Sequence, residues 1–266
     1  MTTGRFGVKQ GTIPSKCSWL AGALALVLLV LSASDGLAEE EKKKNFIVGK
    51  WAFAKLSKAH ELIGKGKYKG ALEEMNSMKR KKRLNDHEKA LMWQTFGYIY
   101  SSQERFPKAI EAFEKCLAFD ALPEGAALDT QFNLGQLLMA SRKFKKAVRV
   151  LTDWIGKVDK PSPETKYMIS MALTQTREWN QALSYAKQAV ASVKRPKETW
   201  LQLLMSIHFE LKQNRSVAKI LERLITMYPK KSYWKQLAAI YAEIKEEDKA
   251  LATLQLCHMQ GYLTTH

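Results

Sequence analysis

Between residues 93 and 113 the chain places its apolar residues on two helical faces that meet through small residues. Trp93, Phe96, Gly97 and Tyr100 recur at i, i+3, i+4 and i+7, which is one face of an α-helix. Beyond Pro107, Ala109 and Phe113 stand four apart and open a second such face. Gly97 and Ala109 let two backbones approach closely, and the rings fill the space beside them. A helix pair of this size cannot bury its apolar stripes alone, so the pattern has to recur if it is to fold.

It recurs along the rest of the chain. A first unit over residues 52–86 carries Leu56, Ala59, Leu62 and Ile63, then Tyr68, Ala71, Leu72, Met75 and Met78. The third has Leu134, Gly135 and Leu138 before Phe144, Ala147, Leu151 and Trp154. The fourth has Ile169, Ser170 and Leu173 before Trp179, Ala182, Ala186 and Ala189. The fifth, over residues 200–229, is open by one residue. Ser206 and Phe209 favour pairing with Ala218, whereas Pro229 and the Leu221 and Leu224 pair favour Val217. The sixth has Trp234, Leu237, Ala238 and Tyr241, then Ala250, Leu254 and Cys257.

The small markers Ala71, Ala109, Ala147, Ala182, Ala218 and Ala250 are 38, 38, 35, 36 and 32 residues apart. That spacing brackets the tetratricopeptide (TPR) period of about 34 residues, and the 93–113 stretch resembles its W-x2-L-G-x2-Y then A-x3-F pattern, with Phe96 in the leucine place. The resemblance implies an all-α fold: a right-handed α-solenoid of about six helix–turn–helix repeats over residues 52–258. First helices would line the concave side and second helices the outer wall.

The flanks read differently. Arg5, Lys9 and Lys16 precede an apolar run at 19–31, and small residues follow to Gly36-Leu37-Ala38. This is the order of a secretory signal peptide, residues 1–38, and the run is shorter than the roughly 20 residues of a membrane-spanning helix. Cleavage is expected after Ala38, with Ser34 as second choice and an uncleaved inner-membrane anchor as the alternative. Residues 39–51 form a charged leader and the start of a first helix. An exported, bacterial, periplasmic protein is implied. At the other end, residues 259–266 make a short tail without a full capping helix, in which Gly261 can stop the last helix. Either a partner covers that edge or the chain is shortened relative to its relatives.

Charge is strongly positive, +17, and +15 once residues 1–38 are removed. Lys79, Arg80, Lys81, Lys82 and Arg83 concentrate it in one run. A solvated loop between repeats is the simple reading, and an anionic docking patch the other. In an exported protein an acidic protein or an anionic envelope surface is a better partner than nucleic acid. Cys116 and Cys257 lie several repeats apart on apolar faces, so no disulfide is expected.

No catalytic constellation is present. His60, His87, His208, His258 and His266 form no HExxH, no phosphate-binding glycine loop occurs, and the adjacent Cys257 and His258 face different ways on a helix. No enzyme activity, metal or cofactor is expected. The function is therefore sought on the concave side, one turn around from the packing residues. Gln94 and Tyr98, then Phe132, Asn133 and Gln136, then Tyr167 and Met171 mix aromatics, amides and a flexible thioether, which suits an extended or helical peptide. Asn133 resembles the asparagine of chaperone-type carboxylate clamps, but the clamp's basic residues would fall near Glu164 and Met168, which disfavours a C-terminal EEVD-type ligand.

Three further segments carry a narrower resemblance: FAKL (53–56) with GKYKGAL (66–72), TQFNLGQLL (130–138), and YWKQLAAIY, KALATLQL and QGYL within 233–263. With them the chain resembles the periplasmic TPR proteins that accompany TonB–ExbB–ExbD energy-transducing systems. The resemblance implies a non-enzymatic scaffold accessory to TonB-dependent outer-membrane transport, with TonB-system components as partners. An adaptor in cell-wall or outer-membrane assembly, and a polyanion or envelope-surface binder acting through the basic run, are the alternatives.

Overall fold

A computed structural model describes residues 46–262. The expected signal segment, the leader at 39–45 and the tail at 263–266 lie outside the described residues. Twelve α-helices follow one another, with no strand among the described residues. In order they are α1 (Lys50–Gly64), α2 (Tyr68–Arg80), α3 (Asp86–Ser102), α4 (Phe106–Ala118), α5 (Glu124–Ala140), α6 (Phe144–Ile155), α7 (Pro163–Gln175), α8 (Trp179–Ala191), α9 (Glu198–Glu210), α10 (Asn214–Met227), α11 (Lys231–Glu243) and α12 (Glu247–Met259). Each odd-numbered helix packs on the even-numbered helix that follows it, and each even-numbered helix packs on the next odd one. This nearest-neighbour order is that of an all-α helical-repeat solenoid of six helix pairs.

The pairs close where the small residues predict. A Cβ built on Gly97 would lie 2.3 Å from the ring of Phe113, and one built on Gly135 would lie 2.3 Å from Leu151. Ala109, Ala147 and Ala182 are fully buried on the partner helices, and Ala250 nearly so. In the fourth pair Ser170 takes the glycine place, and its hydroxyl donates to the Ala182 carbonyl at 2.8 Å instead of leaving a buried polar atom unmatched.

Every turn inside a pair has the same backbone. Gly66 adopts φ 68°, and Glu104, Arg142, Arg177, Lys212 and Lys245 adopt φ between 56° and 62° at the equivalent place. The left-handed residue lets the chain reverse while satisfying the last helical carbonyls. In the second pair Glu104 N–H donates to Ser101 at 2.9 Å and Arg105 N–H to Tyr100 at 2.9 Å.

This turn settles the fifth pair. α10 begins at Asn214, so its third following residue is Val217, just as Ala109 follows Phe106 and Ala147 follows Phe144. Val217 therefore holds the marker place that the spacing series gave to Ala218, and Met205 stands opposite where the other pairs have Gly, Ala or Ser. Both Val217 and Ala218 are buried. With larger residues at the contact, α9 and α10 pack less closely than the helices of the other pairs.

The described residues belong to a compact unit that begins at Phe46. Its first edge is mixed, with Trp51 and Phe53 of α1 exposed but a charge at the place where internal first helices are apolar. Internal first helices place Phe96, Leu134, Ile169, Leu204 and Leu237, all buried, just before the residue at the pair contact. α1 has Lys58 there, ion-paired to Glu61 at 3.0 Å, with Lys65 on the same carboxylate at 2.5 Å. At the far end α12 runs through Met259, so the first residue assigned to the tail is helical. Gly261 ends it with φ 68°, and Leu251, Leu254, Leu256 and Met259 stay exposed.

Replacing Gly135 with Ala is expected to lower unfolding free energy by about 1–3 kcal/mol through overpacking against Leu151. Gly125→Ala is the control: it sits in the same helix with nothing within 4 Å of the new Cβ. Denaturant melts of both variants check this, and an unchanged midpoint for Gly135→Ala contradicts the close-packing account.

Candidate functional site: the face of the first helices

The first helices form the inner face of the solenoid. α1 touches α3 and α7 touches α9 directly, while no two even-numbered helices approach as closely. Helices crowd on the inside of a curve, so the odd-numbered row is the concave one.

Polar side chains join this row from pair to pair. His60 Nε2 lies 3.3 Å from Thr95 Oγ1, linking α1 to α3. The Gln94 amide donates to Thr130 Oγ1 at 2.7 Å, and Tyr98 shares a side-chain hydrogen bond with Asn133, both linking α3 to α5. Tyr167 stacks on Trp200 with ring centroids 5.4 Å apart. Between α9 and α11, Lys230 donates to both oxygens of Glu198 at 2.6 and 2.8 Å, and the Tyr233 hydroxyl also donates to that carboxylate.

The sequence-predicted groove residues thus divide into two groups. Gln94, Tyr98, Asn133 and Tyr167 are half-buried and take part in these links. Tyr98 also packs edge-on against Phe113 at 5.4 Å, and burial pushes its hydroxyl pKa upward. Phe132 lies against Trp154 of α6 at 4.8 Å, within its own pair. Gln136 and Met171 remain half-buried, their own side chains in no hydrogen bond among the described residues; the Met171 carbonyl accepts from the Thr174 hydroxyl at 2.7 Å, and Met171 packs at the edge of the main core. The structure brings Tyr98 and Asn133 together, and the row holds the others one helix apart.

Periodicity alone did not single out Glu198, Tyr233, His60 or Thr130. A capping box on α3 was readable: Asn85 accepts from Glu88 N–H at 2.8 Å, and Glu88 accepts from Asn85 N–H at 3.0 Å. The same carboxylate accepts from Gly49 N–H at 2.9 Å and so ties the lead into α1 to the second pair.

The remaining markers are packing residues. Tyr100 stacks on Phe96 at 5.9 Å, Tyr241 is buried and donates to Glu222, and Trp234 is half-buried. Trp93 lies beneath two lysines, Lys79 at 5.3 Å and Lys115 at 4.5 Å from its ring. Lys79 and Arg80 occupy the last turn of α2, where cations suit the helix dipole, and Lys81, Lys82 and Arg83 continue into the connection to α3. All five are exposed and none forms an ion pair with a described carboxylate.

No cluster of His, Cys, Asp or Glu among the described residues could hold a metal ion. Cys116 and Cys257 are free and buried, and burial pushes the Cys116 thiol up to about 12, so it is not a thiolate at neutral pH. Burial likewise lowers His208 and keeps its ring neutral.

These features are those of an all-α helical-repeat solenoid, and one of its helix pairs matches a known repeat family. The tetratricopeptide repeat family model matches residues 90–121, the pair formed by α3 and α4. Among solved structures the fold is similar to YrrB, described as a TPR protein with an unusual peptide-binding site (TM-score 0.51, 16% identity, covering 62% of this chain and 83% of that one). It is also similar to MamA of Desulfovibrio magneticus RS-1 (TM-score 0.52, 14% identity, 67% and 96% covered). A third is a tetratricopeptide repeat protein of Parabacteroides merdae (TM-score 0.53, 16% identity, 79% and 80% covered). At these identities the likeness concerns the fold. No curated protein matches the chain.

The Glu198 link carries a pH signature. Burial pushes this carboxyl pKa up, but the hydrogen bonds from Lys230 and Tyr233 outweigh it and hold the group below the usual range. A depressed folded pKa means a contribution that is full above the unfolded value and is lost as pH falls through the folded one. Urea melts from pH 7 to pH 3 are expected to show Glu198→Gln losing less stability on acidification than the parent, by about 1 kcal/mol or less for a part-exposed pair. Parallel curves contradict the link.

Proposed function

We propose that the protein is a non-enzymatic, exported scaffold that holds a segment of another protein along its odd-numbered helices, in the periplasm, as an accessory to TonB-dependent outer-membrane transport. The observation that carries the binding part is the inner row itself: half-buried amides, phenols and a thioether, with the side chains of Gln136 and Met171 outside the hydrogen bonds of the described residues. Such a row offers alternating donors, acceptors and apolar contacts to an extended or helical peptide. The peptide-binding TPR structure to which the fold is similar supports the same reading. Proteins built of these repeats are generally scaffolds without catalysis.

The export and transport parts rest on the sequence: the basic–apolar–small order of residues 1–38 and the resemblance of segments 53–72, 130–138 and 233–263 to TonB-associated TPR proteins. Uptake of iron chelates is the transport expected.

In-vivo crosslinking of the tagged protein, with mass spectrometry of what it captures, is expected to recover TonB-system components. Gln136→Arg is expected to cut that recovery several-fold without changing the thermal midpoint. A strain lacking the gene is expected to grow more slowly on chelated iron. Recovery of wall or outer-membrane assembly proteins instead, with normal growth, keeps the scaffold and removes the transport role.

A further inference from the structure

The strongest feature that peptide binding does not use lies where α1 begins and α2 ends. Three exposed apolar side chains occur within six residues: Phe46 (41% exposed), Ile47 (63%) and Trp51 (37%). Phe53, two residues on, is 64% exposed as well, and the other exposed apolar group among the described residues is Leu251, Leu254, Leu256 and Met259 on α12. The segment is fixed beside the basic run by several contacts. Lys81 Nζ sits 4.0 Å from the centre of the Trp51 ring. The Asn85 amide donates to the Ile47 carbonyl at 3.0 Å, and Phe46 meets the His87 ring edge-on at 5.2 Å. Lys81 therefore stands directly on the apolar segment, with Arg80, Lys82 and Arg83 next to it in the chain and Lys79 turned toward Trp93.

The cations of this face form no ion pair with a described carboxylate, although Glu111 attracts Lys79 at longer range. The carboxylates nearest in sequence are already engaged: Glu74 with Lys55 at 2.7 Å, Asp86 with Lys89 at 2.9 Å, and Glu88 in the α3 capping box. We propose that this face docks on an anionic lipid bilayer surface, its lysines and arginines over the headgroups and Phe46, Ile47 and Trp51 in the boundary layer.

Three occupants compete for a basic face, and the apolar residues decide between them. A soluble polyanion would be held by the cations alone and would make no use of Ile47 or Phe46. Protein interfaces are depleted in lysine, yet three of the five cations are lysines on flexible, exposed stems. Exposed Trp and Phe beside clustered Lys and Arg is the combination an interfacial membrane site needs, because electrostatic attraction and shallow apolar insertion add. This docking is independent of peptide binding along the inner row.

The compact unit begins at Phe46, so the chain from residue 39 onward, free of the apolar run at 19–31, is the form to test. Its co-sedimentation is measured with vesicles of phosphatidylethanolamine and phosphatidylglycerol, and with vesicles of phosphatidylcholine alone. Binding to the anionic vesicles only, weakening as salt rises, is expected. The variant K79Q/R80Q/K81Q/K82Q/R83Q is expected to bind at least ~10-fold more weakly, and Ile47→Ser, alone or with Phe46→Ser, about 3-fold or more. The charge variant also loses the Lys79–Trp93 and Lys81–Trp51 contacts, so each thermal midpoint is measured beside the binding, and lost binding by protein that is still folded at the assay temperature is the supporting result. Equal binding to neutral vesicles, or full binding by the charge variant, overturns the proposal. Binding of free polyphosphate as tight as that of vesicles, with no loss in Ile47→Ser, replaces the bilayer with a soluble polyanion.

Discussion

The structure depends on how close two helix backbones can come. Where Gly97 meets Phe113 and Gly135 meets Leu151, a single added methyl would sit 2.3 Å from a side-chain carbon, well inside van der Waals contact. The large residue on the second helix fills the space the first helix leaves empty. That one contact sets the separation of each pair, and with it the distance at which the next pair can stack. Stability in such an array is a sum of pair and neighbour terms, so an error at one contact is felt locally and in the adjoining pair.

Much of this could be read from the chain before any coordinates. Gly97, Ala109, Gly135 and Ala147 are small at positions where helical spacing puts them face to face, and only close approach explains that. The fifth pair was open for a physical reason. Val217 and Ala218 are both buried, so apolar pattern cannot choose between them, and the turn that decides is built on Lys212, a residue with no turn signature. Most natural left-handed positions announce themselves with glycine or asparagine. Here Gly66 alone among the turns inside the pairs does so.

The inner row was located by the same periodicity but not its use. Spacing places Gln94, Tyr98, Asn133 and Tyr167 on one side of their helices. It does not reveal that Thr130, Thr199 and Trp200 stand one repeat away to engage them. Those links depend on the stagger between successive pairs, which varies with connections of different length. The basic run at 79–83 was plain as composition. What composition lacked was its neighbour: Phe46, Ile47 and Trp51 come beside it only because Asn85 and Glu88 fasten the lead into α1 onto the start of α3.

The recurring turn does more than reverse the chain. Because its left-handed residue is fixed by backbone geometry, whatever side chain stands there leaves the solenoid at a regular interval and from the same side of each pair. In the last four pairs that side chain is Arg142, Arg177, Lys212 and Lys245. Four successive pairs therefore carry a cation at one repeated backbone place, with Glu178 and Glu246 directly following two of them. A backbone requirement repeated for folding has become a repeated place for charge.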